Sequence, residues 1–454
     1  MFNPTDMLIL VSVLLTLVFC GFHIAISLGV TSLLGIYLVT GDIESVQRFS
    51  ASTFYSALRD YVFAVIPLFM LMGEFLAKCG AARDLFTLVD RLTQRVPGRL
   101  GVATVLANAV FAFVTGVSIA AAAAFSKIAH PEMRRYGYER KFSLGCIAGS
   151  ACLGMLIPPS VLMIVWGVLT ELAIGKLFIA GIVPGFLVVG LYIGYIVWVA
   201  KTHPERVGEG PNLPAAQAAA RSANAQHDTE SLRTILWSTA GILALVVLVL
   251  GGIWLGAFTP TEGAGVGATL ALLLALARGM RGKEMMEAIL SVGRTSAPLL
   301  LLLVTAQLYS RVLAMTGITG AAKAFFLGSG MSPFVVLALM ILVWFILGCI
   351  IDSISIILLT VPVFAPVAVA LGFDPIAFAI LGILAIETGL LTPPFGILVF
   401  TVKAAVTDEK DLSTGEIFAG SVPYWIALLT AIVVIAIFPK IATWLPSLGQ
   451  KLVA

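Results

Sequence analysis

Oxygen-bearing side chains gather in four short stretches that also contain helix-breaking residues: 115–118 and 149–160 in the first half of the chain, 352–355 and 388–394 in the second. Where a helix is interrupted, its freed carbonyl groups can coordinate a hard cation, and the start of the next helix favours an anionic group. The pattern therefore predicts sodium ligands, namely Ser118, Ser150, Gly154, Asp352, Ser353, Thr388, Gly389 and Thr392. Two alternatives stay open: each hydroxyl can bond its own helix turn, and each glycine can serve close helix packing.

A Pro-Pro pair interrupts each of two long apolar segments, near 142–167 and near 376–402. Such a pair removes backbone donors and clashes with the preceding turn, so it stops a helix. Non-helical backbone at membrane depth requires burial in protein or a wet cavity. We expect two re-entrant helical hairpins whose tips bind substrate, through Pro158, Pro159, Ser160, Pro393 and Pro394. The alternative for either segment alone is a proline-kinked spanning helix.

Three acidic residues fall within apolar sequence, Asp352, Glu387 and Glu262. Intramembrane acids are functional candidates because a charge in hydrocarbon is costly. Asp352 and Glu387 flank the second interrupted region. Glu262 follows Thr259 in a pattern that predicts a helix start, with the threonine as cap.

The composition defines the class of protein that must position these groups. The chain has 454 residues, 60% of them hydrophobic and 11% charged, with a net charge of +3 and a mean hydropathy of +1.06. Soluble globular chains carry about 25% charged residues, and apolar runs of about 20 residues, enough to cross a bilayer, recur here from end to end. The sequence predicts an all-α polytopic membrane protein, and its small net charge does not indicate a nucleic-acid partner.

The two halves of the chain match each other. Setting Pro158 on Pro393, an offset of 235, gives eight identities over 48 ungapped positions, including Ser118 on Ser353 and Gly154 on Gly389. We predict a first repeat over 1–200, a polar linker over 201–233 and a second repeat over 234–454. Paired interrupted segments are typical of secondary transporters with a midplane site.

Charge in the loops predicts that these repeats are inverted. The loop 127–141 is basic and its counterpart near Phe373 has no Lys or Arg, which places the two on opposite sides of the membrane, the first of them cytoplasmic. The loop 78–99 is also basic, although one predicted crossing separates it from 127–141. We interpret it as an amphipathic helix along the interface.

The sequence contains no Walker A loop, no metal-spaced His/Cys cluster and no Ser/His/Asp arrangement. These absences disfavour ATP hydrolysis and enzymatic catalysis, and they disfavour an intramembrane enzyme as a competing class. An ion gradient is the expected energy source, and no cofactor is expected beyond Na⁺ as coupling ion.

At these residues the sequence resembles the large membrane subunit of TRAP (tripartite ATP-independent periplasmic) transporters. The matching stretches are 154–160, 174–185, 259–262, 352–362 and 387–394, which follow the family order over nearly the whole chain. At 115–118 the family pattern usually has one more hydroxyl than Thr-Gly-Val-Ser. The resemblance implies an elevator-type transporter in the bacterial inner membrane that takes up a small organic acid with sodium. It also implies two partners, a small four-helix membrane subunit and a periplasmic substrate-binding protein.

The alternative is a stand-alone sodium/anion symporter without a binding protein, because such a carrier would have the same paired, interrupted helices. The sequence leaves the substrate open among sugar acids, C4-dicarboxylates and 2-oxo acids.

Overall fold

The computed structural model describes residues 4–209, 232–409 and 411–453. Within them the chain is a helical bundle, and the helices are α1 Pro4–Phe19, α2 Ile24–Thr40, α3 Ile43–Arg59, α4 Val65–Lys78, α5 Ala81–Leu92, α6 Arg99–Thr115, α7 Ser118–Arg135, α8 Arg140–Ala151, α9 Leu153–Leu156, α10 Val161–Thr170, α11 Ile174–Thr202, α12 Leu232–Trp254, α13 Pro260–Ala277, α14 Gly282–Met315, α15 Ile318–Gly328, α16 Pro333–Gly348, α17 Ser353–Ala370, α18 Pro375–Gly389, α19 Ile397–Ala405, α20 Thr414–Ile437 and α21 Lys440–Val453. Seven helical segments of the described residues are long and apolar enough to cross a membrane. The predicted all-α membrane class is confirmed.

Helices α6 and α7 form a re-entrant hairpin. Their side chains pair in antiparallel order: the rings of Phe111 and Phe125 lie 5.7 Å apart, and Thr104 Oγ1 lies 3.7 Å from Met133 Sδ. The chain turns at Gly116, which has a φ of +61°, a left-handed conformation that suits glycine. Both arms therefore leave the hairpin on the same face of the protein.

Helices α16 and α17 form the second hairpin in the same way. The indole of Trp344 donates to Thr360 Oγ1 over 2.7 Å, and farther from the tip the rings of Phe334 and Phe373 lie 6.0 Å apart. The tip is the short segment 349–352 between the two helices.

The Pro-Pro segments, in contrast, cross the bundle. Helix α11 has 29 residues, about 43 Å at 1.5 Å per residue, so its two ends lie on opposite faces. The segment 140–170 begins beside the end of α11, where the Glu139 amide donates to the Arg206 carbonyl over 2.9 Å. It finishes beside the start of α11, where Gly167 packs against Ile174. The segment 375–405 crosses in the opposite direction, from Phe378 beside Trp166 to Lys403 bonded to Thr414.

The hairpins predicted near 142–167 and 376–402 are therefore misplaced. Each half does contain a re-entrant hairpin, but it is the element before the Pro-Pro segment, and the prolines break a crossing instead of forming a tip. The physical reason is that turning back needs two arms that pack together. Helices α6 and α7 contact each other, as do α16 and α17, whereas α8 and α10 have little or no contact with each other.

This correction resolves the position of the basic loops. Because 99–135 turns back, the loops 78–99 and 127–141 lie on one face, which we name the basic face. The predicted crossing between them, which would have made 78–99 external, is absent. Helix α5 lies at this face, with Ala82, Leu85 and Phe86 buried. The positive-inside rule predicts that the basic face is cytoplasmic.

The two halves share one register and opposite orientation. Helix α17 begins and ends 235 residues after α7, and α18 begins 235 residues after α8. The halves also exchange contacts, since α7 packs on α19 while its counterpart α17 packs on α10. The first hairpin opens toward the basic face and the second toward the opposite face, so the repeats are inverted. The linker predicted at 201–233 lies mostly outside the described residues, and the predicted repeat limits stay predictions.

Candidate ion and substrate site

In each half, the hairpin tip contacts the break in the following crossing. We name this contact region in the first half the first tip–break cluster. In it, the Val161 amide donates to the Gly116 carbonyl over 3.3 Å. A methyl group on Gly154 would lie 3.0 Å from the Ser118 amide nitrogen. Residues 158–160 are fully buried here, and the Ser160 hydroxyl accepts from the Met163 amide at the start of α10.

The second tip–break cluster has the same construction. The Phe395 amide donates to the Cys349 carbonyl over 3.1 Å. Thr392 Oγ1 lies 2.8 Å from Cys349 Sγ and donates to the Gly389 carbonyl over 2.8 Å. Four of the eight predicted ligands occupy corresponding positions at the 235-residue offset, Ser118 with Ser353 and Gly154 with Gly389. The peptide bonds Pro158–Pro159 and Pro393–Pro394 are both cis.

Two predicted ligands bond their own helices. Ser150 Oγ donates to the Cys146 carbonyl over 2.7 Å, and Thr388 Oγ1 donates to the Leu384 carbonyl over 2.6 Å. Ser150 also accepts from the buried amide of Asn108 over 2.7 Å. A hydroxyl that donates within its helix keeps lone pairs for a cation, so these bonds are compatible with a ligand role.

Asp352 caps helix α17. Its Oδ1 accepts from the Ser355 amide over 3.0 Å, and its Oδ2 accepts from the Ser355 hydroxyl over 2.5 Å. The residue is exposed, as are Pro393 and Pro394 across the cluster. An exposed carboxylate at this depth needs water or a cation beside it.

Glu387 was recognised as an intramembrane acid but left out of the predicted ligands. It is only 1% exposed, and its carboxylate accepts from Ser118 over 2.7 Å and from Ser353 over 3.2 Å. These serines are the pair that the repeat aligns, so the 235-residue register was the available signal. The other acid considered, Glu262, forms the predicted capping box with Thr259.

The two clusters differ in exposure. At the breaks, Phe395 of the second is 56% exposed and Ile157 of the first is 3% exposed, although Ile119, just after the first tip, is 43% exposed. Helices α10 and α17, in the half of the bundle away from the basic face, both pack on α14. The main neighbours of α19, the counterpart of α10, are α7, α8 and α20. The second break is thus more exposed than the first.

An ion cluster on the basic face joins the halves outside the membrane. Arg140 donates to both oxygens of Glu416, over 2.9 and 2.7 Å, and to Asp411 over 2.9 Å. The hydrogen bond from Arg140 lowers the pKa of the Asp411 carboxyl. These bonds connect the start of the first broken crossing with the loop after the second broken crossing and with the first turn of α20.

Inverted repeats with paired hairpins and broken crossings are typical of polytopic membrane transport proteins. A family model, described as the DctM component of tripartite ATP-independent periplasmic transporters, matches residues 11–441. The chain belongs to this family, whose members are transport components of the inner membrane and not enzymes.

Individual relatives agree over nearly full length. The chain is 34% identical over 423 residues to the C4-dicarboxylate TRAP transporter large permease protein DctM of Pseudomonas aeruginosa, covering 93% of this chain and 94% of that one. It is 27% identical over 438 residues to the sialic acid TRAP transporter large permease protein SiaM of Vibrio cholerae, covering 96% and 97%. Its fold is similar to that of the Alcanivorax borkumensis YdaH transporter, with a TM-score of 0.60 at 16% identity over 90% of each chain.

Proposed function

We propose that this protein is the large permease subunit of a TRAP transporter that couples uptake of a small carboxylate to the sodium gradient. The observation that carries the proposal is the pair of tip–break clusters. In each, a helix start, a broken crossing and several oxygen atoms meet within the membrane, which is the arrangement that hard cations and carboxylates both favour.

Sodium occupies both clusters in this proposal. Ser118, Gly154 and Ser150 serve the first, and Asp352, Ser353, Thr388, Gly389 and Thr392 serve the second. Carbonyl and hydroxyl oxygens make up most of the donor set, and Asp352 supplies a negative charge at the second cluster. The substrate carboxylate lies between the breaks, against residues 158–160 and Pro393 and Pro394. The names of the relatives support an acidic substrate, since one carries C4-dicarboxylates and another sialic acid.

Transport follows an elevator movement in this proposal. The two hairpins and the two broken crossings move as a unit against a scaffold that includes α4 and α14. The contrast between α10, which packs on the scaffold, and α19, which does not, fits a state that is open to the cytoplasm. The reverse packing would close the second cluster and open the first.

Substrate arrives inside a periplasmic binding protein, and a small four-helix membrane subunit widens the scaffold. Reconstitution into liposomes tests this part of the proposal, first with the large subunit alone, then with the small subunit, then with both partners. We expect uptake near background for the large subunit alone and sodium-driven uptake with both partners present. Robust sodium-driven uptake of free substrate by the large subunit alone would reject the tripartite proposal in favour of a stand-alone symporter.

A further inference from the structure

Glu387 lies where the two repeats meet. Its Oε2 accepts from Ser118 over 2.7 Å and its Oε1 accepts from Ser353 over 3.2 Å. Ser118 is the first residue of α7 and Ser353 is the first residue of α17. One side chain therefore bonds the tips of both hairpins, which are 235 residues apart in sequence.

The position of Glu387 itself is also shared between the repeats. Its counterpart by the 235-residue offset is Cys152, and the Cys152 thiol lies 3.6 Å from the Glu387 carbonyl oxygen. Corresponding positions in contact mark the local two-fold axis between the halves. Only one of the two positions carries a carboxylate, so a single group serves both hairpin tips.

The surroundings supply the partners that a buried carboxylate requires. Within residues 4–209, 232–409 and 411–453, no Lys, Arg or His forms an ion pair with Glu387. Instead each oxygen accepts one hydroxyl hydrogen, and each hydroxyl belongs to a helix start, where unpaired amides and the helix dipole favour negative charge. Charge-assisted bonds of this kind are stronger than neutral ones.

We infer that Glu387 is a positioning residue that fastens the two hairpin tips together and so makes sodium binding at one tip–break cluster depend on the other. This inference rests on the sodium coupling proposed above. When a bound cation fixes the position of Ser118 or Ser353 in one cluster, it also fixes the Glu387 carboxylate. The carboxylate in turn holds the serine of the other tip in place. Without Glu387 the two clusters act independently.

The test measures sodium activation of uptake by the complete transporter in liposomes, with Glu387→Gln. Gln keeps the side-chain shape but replaces one acceptor oxygen by a donor. We expect the half-saturating sodium concentration to rise roughly tenfold, as loss of a charge-assisted hydrogen bond predicts. The Hill coefficient falls toward one, while the maximal rate at saturating sodium changes by less than about twofold. Ser126→Ala is the matched control, since Ser126 is buried in α7 and only bonds the Ala122 carbonyl; it should leave sodium activation unchanged.

Hydrogen exchange without sodium separates this inference from the proposed function. Amides at both tips, 115–120 and 349–356, should exchange faster in Glu387→Gln than in the parent protein. In the Ser126→Ala control they should exchange at the rate of the parent protein. If uptake by the wild-type transporter does not depend on sodium, the proposed sodium coupling is rejected. The exchange result still tests whether Glu387 holds the two hairpin tips together. Unchanged tip exchange, or an unchanged Hill coefficient in a sodium-dependent transporter, would overturn the inference. If Glu387→Gln does not fold, the double variant Ser118→Ala with Ser353→Ala removes the same two bonds. It is used only in the exchange measurement without sodium, because both serines are proposed sodium ligands, and unchanged tip exchange in it would overturn the inference.

Discussion

Gly348 and Gly389 meet face to face where the second hairpin tip contacts the second broken crossing. A methyl group on Gly389 would lie 2.6 Å from the Gly348 Cα, closer than real side chains approach backbone. Gly154 has the same role in the first half, against Ser118. These contacts hold each tip against its break, so the glycines that the sequence aligned are required for packing as well as for the candidate sites.

Gly389→Ala should therefore separate the second tip from its break. We expect a loss of about 1–3 kcal/mol in stability, typical of overpacking, together with a higher half-saturating sodium concentration. Thermal unfolding in detergent and sodium titration of uptake measure the two effects. Gly190→Ala is the control, because a methyl group at Gly190 meets nothing within 4 Å. Equal behaviour of the two variants would contradict the packing role.

Asp352→Asn should weaken sodium activation more than substrate affinity at saturating sodium. The amide keeps the cap on Ser355 but loses the negative charge beside the second cluster. Asp374→Asn is the control: Asp374 caps α18 in the same way, through the amides of Ile376 and Ala377, but lies at the end of its helix away from the break. Unchanged sodium dependence in Asp352→Asn would remove Asp352 from the site.

Phe395→Cys, in a background without the native cysteines, should react with a membrane-impermeant thiol reagent added on the cytoplasmic side. The reason is that Phe395 is exposed and bonds Cys349, at the tip that also carries Asp352, and an exposed carboxylate indicates water instead of lipid. Ile157→Cys, in the closed first cluster, should stay unlabelled under the same conditions. Labelling of Phe395→Cys only from the periplasmic side would contradict the orientation of the open cluster.

Arg140→Lys should loosen the ion cluster on the basic face. Separate guanidinium nitrogens of Arg140 bond Glu416 and Asp411, and lysine offers a single nitrogen for both carboxylates. We expect a small destabilisation in thermal unfolding at neutral pH, since ion pairs near solvent contribute little. The pKa of Asp411 is lowered, so its bond to Arg140 contributes fully above the usual Asp range and is lost as the pH falls through the lowered value, below about 4. The difference between variant and parent should shrink on that acid side; a constant difference would show that Asp411 contributes nothing.

The sequence predicts the two helix breaks and the internal repeat, but not the two hairpins or the contacts of Glu387. The Pro-Pro pairs located both breaks, and the 235-residue offset aligned Ser118 with Ser353. The hairpins were missed because the turn at Gly116 contains no proline and the apolar run continues through it. The basic loops on either side of 99–135 were the available signal, since two cytoplasmic loops require the segment between them to turn back. The convergence on Glu387 depends on packing between residues 269 positions apart, which sequence periodicity does not encode.

Sodium coupling is the central claim, and the most direct measurement is accumulation of labelled substrate by the complete transporter in proteoliposomes. An inward sodium gradient should drive substrate above its external concentration, and replacing sodium with potassium, or collapsing the gradient with a sodium ionophore, should abolish the accumulation. Accumulation that persists in potassium without sodium would contradict the account.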